Sequence, residues 1–136
     1  MKKIILGVIC LCMMLCMMAC SPKPEETLLA SLDEIESIMR ENMEHPDELI
    51  AQLSAYAEAQ QPQWEQMNRT FEAMNRDDYM RIIDHHQDQV RDTILKILDL
   101  DLEFQDQIKA DSVRMAAYMA AVNKIGVLYT NGNLHD

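Results

Sequence analysis

Beyond residue 20 this 136-residue chain has no cysteine; all four, Cys10, Cys12, Cys16 and Cys20, precede that point. The remainder can therefore form no disulfide, no thiolate zinc site and no thiol nucleophile, and without a CxxCH sequence it holds no covalently attached c-type haem. Glycine is scarce, at three residues, so there is no Gly-rich loop to cradle a phosphate. GxSxG and HExxH are also absent. Serines 31, 37, 54 and 112 fall mid-helix in the reading below, with no histidine nearby in sequence, so no catalytic set is assigned and the chain is not read as an enzyme. Basic residues are outnumbered, 12 against 23 acidic, for a net charge of −11. Such a surface repels nucleic-acid phosphates and anionic headgroups, which excludes a nucleic-acid partner.

One long apolar run is present, and it stands at the start. Lys2 and Lys3 precede Ile4–Cys20, 17 residues interrupted only by Gly7. That is short of the roughly 20 needed for a span, and Pro22 and Pro24 stop it as a helix. A basic head, an apolar middle and a small residue before the break make a secretory signal peptide. An uncleaved N-terminal anchor and an ordinary signal peptide share these features; the final residues favour a third form. Met17-Met18-Ala19-Cys20 resembles the lipobox of bacterial lipoproteins. The resemblance covers residues 1–20 only. It implies acylation of the Cys20 thiol and cleavage between Ala19 and Cys20, where only a small side chain fits before the cut. Cys10, Cys12 and Cys16 follow larger residues and read as apolar filler.

The resemblance implies a signal peptide, 1–19, and a lipidated Cys20; the prolines and the helical pattern below add a tether to residue 24, a helical domain, 25–130, and a tail, 131–136. Cleavage leaves 117 residues, 136 less 19, enough for one domain with a core of its own. Loss of Lys2 and Lys3 leaves 10 basic against 23 acidic side chains, a charge of −13. Attachment to the membrane then falls to the acyl chains on Cys20 rather than to a polybasic patch. Ser21 resembles the outer-membrane class of the enterobacterial pattern, so the implied place is the cell envelope, on the outer membrane facing the periplasm in a Gram-negative cell. The chain ends Leu134-His135-Asp136, without the terminal lysine of a small lipoprotein stapled to the cell wall.

The rest reads as helix. From residue 25 onward there are two glycines, Gly126 and Gly132, and two prolines, Pro46 and Pro62. Five acid-to-base pairs stand at i,i+4, namely Glu36–Arg40, Glu65–Arg69, Glu72–Arg76, Asp77–Arg81 and Asp92–Lys96. A first helix is predicted over 25–44, with the stripe Leu28, Leu32, Ile35, Met39 and Met43. Pro46 suits the first position of a second. Its stripe, Ile50, Leu53, Ala57, Gln60, Trp64, Met67, Phe71 and Met74, keeps phase across Pro62, so one kinked helix is predicted over 47–76. Asp77 or Asp78 is expected to cap a third, carrying Ile83, His86, Val90, Ile94 and Ile97, with Leu98 beside it. The alternating stretch Leu-Asp-Leu-Asp-Leu-Glu-Phe, 98–104, is read as a helix boundary near 99–102, because a lone strand would have no partner. A last helix over 102–128 would carry Phe104, Ile108, Met115, Met119, Val122 and Ile125. The expectation is an all-α antiparallel bundle of about four amphipathic helices.

Candidate chemistry is thin. His85, Asp88 and Asp92 share a face of the third helix, and Asp84, Asp88 and Asp92 form an acidic column that a bound cation would relieve. They are the metal candidates; the plainer reading is a solvated acidic face, since no second ligand pair is visible. His85 and His86 point about 100° apart and cannot chelate one ion together. Glu-x-x-His, the di-iron signature of such bundles, does not occur. Haem between His86 and Met39 or Met43 would resemble the soluble b-type cytochromes, but their histidine on the last helix is missing, His135 being in the tail. Met39/Met43 and Met115/Met119 are i,i+4 pairs of the kind copper(I) takes, and equally continue apolar stripes. No cofactor is assigned. Two functions follow: a structural or interaction module with an envelope protein partner, or alternatively a periplasmic metal- or haem-binding bundle.

Overall fold

The computed structural model describes residues 22–126 and residue 128; the signal segment, Ala19, Cys20 and the tail 131–136 lie outside the described residues. The fold is an all-α four-helix bundle, as the sequence predicts, with no strand among the described residues.

Helix α1 spans Pro24–Asn42, opening on Pro24 with Glu25 and Glu26 in its first turn, where carboxylates complement the dipole. It buries Leu32, Ile35 and Met39, with Leu28 and Met43 half-buried, so the predicted stripe is the packed face. Helix α2, Pro46–Ala73, starts on its own proline and runs unbroken through Pro62. Leu53, Ala57, Trp64, Met67 and Phe71 are all buried on it, so the in-phase stripe prevails over the proline.

Helix α3, Arg76–Ile108, departs from the sequence reading at both ends. Its cap is Asn75, whose Oδ1 accepts from Asp78 N at 2.9 Å; Asp77 and Asp78 lie in the first turn. Residues 99–102 are not a boundary, because the helix continues through the alternating stretch to Ile108. On a helix, steps of two residues turn about 200°. Alternating apolar residues therefore feed two opposite faces: Phe104 is buried and Leu100 half-buried, while Leu98 and Leu102 are exposed. The break comes later, at Lys109-Ala110-Asp111, without glycine or proline. Asp111 Oδ1 accepts from Val113 N and Arg114 N at 3.1 and 3.0 Å and starts α4, Ser112–Ile125. That places Phe104 and Ile108 on α3, not on the last helix, and leaves Met119 exposed while Tyr118 takes the buried position.

The helices alternate in direction along the chain, but α1 packs along both α2 and α3, and α4 packs along α2. Side-chain bonds fix the directions. Ser31 meets Trp64 and Asn42 meets Gln52, so α1 and α2 are antiparallel. Arg114 meets Asp47 and Lys124 meets Ser54 and Glu58, so α2 and α4 are parallel. The order round the bundle is therefore α1, α2, α4, α3. The fourth side, between α3 and α4, is the loose one.

Candidate functional site

The loose side opens a cleft of about 310 Å³. Ile35 and Met39 of α1 and Leu53 of α2 form its floor; Ile94, Ile97 and Leu98 line one wall, Tyr118, Val122 and Ile125 the other. One polar contact marks it: Tyr118 Oη donates to Asp101 Oδ1 at 2.5 Å, while Gln105 Nε2 donates to Oδ2 at 2.9 Å. Below that bond the Phe104 and Tyr118 rings meet edge to face, centroids 4.7 Å apart. Asp101 thus has a partner for each oxygen, as a half-buried carboxylate requires.

A second apolar groove, about 350 Å³, lies between α1 and α3, lined by Leu28, Leu29, Phe71, Ile83, Val90 and Leu95 among others. Ile94 lines both spaces. At the end of this groove Glu25 turns in Oε2, buried and without a hydrogen-bond partner. His86, half-buried, also lines it, with its ring edge-on to that of the exposed His85 at 4.7 Å.

Of the metal candidates, Asp88 and Asp92 are paired within their own helix, and the His85 ring meets that of His86 edge-on. The Arg91 guanidinium reaches Asp88 at 3.1 Å and Asp92 at 3.2 Å, so the cation relieving the acidic column is a side chain of α3. Among the described residues no three His, Cys, Asp or Glu side chains converge as a metal would need. Of the haem candidates, Met39 lines the α3–α4 cleft, His86 the α1–α3 groove, and Met43 neither. Of the predicted i,i+4 pairs, Glu36–Arg40 forms at 2.5 Å. Arg81 pairs instead with Asp78, and Arg69 with Gln66. Glu72 and Arg76 stand on different helices, since α2 ends at Ala73.

Sequence reasoning does not find Asp101 and Tyr118. Both sit between stripe positions, and their contact depends on the α3–α4 turn falling at 109–111. No known family, curated protein or solved structure matches this chain.

Proposed function

We propose that this chain is a lipid-anchored cell-envelope lipoprotein whose helical body serves as a structural or protein-interaction module. The observation that carries the proposal is how closely the lipobox-like Met17-Met18-Ala19-Cys20 abuts the folded body. Helix α1 begins at Pro24, with Thr27 N already bonded to Lys23 O at 3.0 Å. Four residues extended span at most about 14 Å. Acyl chains on Cys20 would hold the bundle directly against the bilayer, on the outer membrane facing the periplasm in a Gram-negative cell. Among the described residues no helix is long and apolar enough to cross a membrane, so on this reading attachment rests with the N-terminal segment. The two apolar spaces flanking α3 are the features of the body suited to an envelope protein partner. The alternative metal- or haem-binding reading draws no support from the placement of Met39, His86 and Arg91.

The test is Cys20→Ser in the native host, read by fractionation and mass spectrometry. The expected result is a protein released from the membrane fraction or retaining residues 1–19, with unchanged helicity. A variant that fractionates and matures as the wild type does would overturn the anchor. Crosslinking in intact cells identifies the partner.

A further inference from the structure

The alternating stretch that runs through α3 leaves a line of leucines outside the core. Leu95, Leu98 and Leu102 are 52%, 49% and 67% exposed. Single exposed leucines need no explanation, but these three follow i, i+3, i+7, which is a stripe. At 100° per residue Leu95 and Leu102 point away from Ile97 and Phe104, the buried face of the same helix, while Leu98 stands at the edge and also borders the α3–α4 cleft. Helix α3 is thus apolar on two sides, and only one is covered within the bundle.

The charges bracketing the stripe say what covers the other. On its N-terminal side stands the pair Asp88–Arg91, at 3.1 Å; on its C-terminal side stands Asp106–Lys109, at 2.7 Å. All four side chains are largely exposed. With the leucines they fall in an arc of about 80° on the helix. The order is acid, base, three leucines, acid, base. Turned end for end, that order becomes its own complement.

We propose that α3 pairs with α3 of a second copy, antiparallel, about a twofold axis beside Leu98 and Asp99. Leu95 then faces the partner's Leu102, Asp88 the partner's Lys109, and Arg91 the partner's Asp106, each contact occurring twice as an isologous interface requires. A parallel pairing would set Asp88, Arg91, Asp106 and Lys109 each against its own copy, and like charges would repel at every level. The four bracketing side chains balance two acids with two bases, so they add no net repulsion when two acidic chains meet along this strip. Near the axis the two Asp99 carboxylates come together on one edge, an unfavourable contact that holds the pairing to modest strength. The pairing does not depend on the lipid anchor.

Sedimentation of the full chain in excess detergent micelles tests it. The wild type is expected to dimerise in the micromolar range. Leu102→Glu should be monomeric with unchanged helicity and melting, since Leu102 is two-thirds exposed. Asp88→Lys should weaken association roughly three- to tenfold, and Asp88→Lys with Lys109→Asp should restore it. Asp99→Asn should tighten it. A wild type that stays monomeric to about tenfold above that range, or a dimer indifferent to Leu102→Glu, overturns the proposal, whatever else the leucines then bind. Monomerisation by Leu102→Glu without rescue by the charge exchange overturns the antiparallel register.

Discussion

The indole Nε1–H of Trp64 donates to the hydroxyl of Ser31 at 2.9 Å, joining α2 to α1 in the middle of the core. Trp64 is 0% exposed and Ser31 2%, so the bond is shielded from bulk solvent. The Tyr56 ring meets the indole edge-on at 6.0 Å. Burial pushes the Tyr56 phenol above its ordinary pKa, against an opposing hydrogen bond from Ser31. Ser31→Ala should cost about 1–3 kcal/mol, because it strands a buried donor. Denaturant unfolding followed by the fluorescence of Trp64, the chain's one tryptophan, reads it directly. An unchanged midpoint would mean that the indole finds another acceptor.

Asp47 and Arg114 join the starts of α2 and α4. Arg114 Nε and Nη2 donate to the two carboxylate oxygens at 2.8 and 3.0 Å. That hydrogen bond, with the guanidinium charge, holds Asp47 below its ordinary 3.8. A carboxyl lowered on folding adds stability that is present above its unfolded pKa and lost as pH falls through the folded value. Asp47→Asn should therefore lower the melting temperature slightly at neutral pH. The difference from wild type should vanish below Asp47's folded pKa. Both groups are exposed, so the effect is small and should shrink further in salt. A difference that persists in strong acid would assign the loss to packing rather than charge.

Helices α1 and α2 were legible because their apolar spacing is regular and each starts on a proline that can only open a helix or break one. Pro62 reads correctly only because the stripe from Leu53 to Phe71 stays in phase. The alternation at 98–104 misleads, since a two-residue period marks a strand when one face is buried, but here it serves two faces of one helix. The true end of α3 carries no glycine or proline. What marks the break is the restart, where the Asp111 side chain caps α4, and Asp111 is one of many carboxylates in an acidic sequence. The cleft was beyond reach of periodicity altogether. Spacing tells which face of a helix is apolar, not which neighbour covers it, and the order α1, α2, α4, α3 is what leaves Asp101 and Tyr118 facing each other.

Pro62 lies exposed inside α2, where it lacks the N–H that would bond to the carbonyl of Glu58. Its ring makes no part of the buried face, so Pro62→Ala restores a backbone bond without emptying the core. The variant should gain about 1–3 kcal/mol, up to the usual penalty of an interior proline. Thermal melting by circular dichroism checks it. If stability falls instead, the proline itself is what holds Trp64 in register with Ser31, and the Trp64 emission should shift with it.

The bond from Tyr118 to Asp101 closes the loose side of the bundle at its α3–α4 end. Its acceptor is a carboxylate, and such bonds are worth about 1.5–3 kcal/mol when shielded. Asp101 is only half-buried and keeps Gln105, so some of that is recovered from solvent. Tyr118→Phe should cost about 1–2 kcal/mol. Asp101→Asn should cost less, because its amide oxygen can still accept. In a double-mutant cycle of Tyr118→Phe with Asp101→Ala, the double variant should lose less than the two singles together by about 1 kcal/mol. The same singles should increase binding of a hydrophobic dye, since the bond joins α3 to α4 beside the Phe104–Tyr118 ring contact on the loosest side of the bundle. Strict additivity would show that the two side chains lie close without energetic coupling, and that the cleft is held shut from its floor.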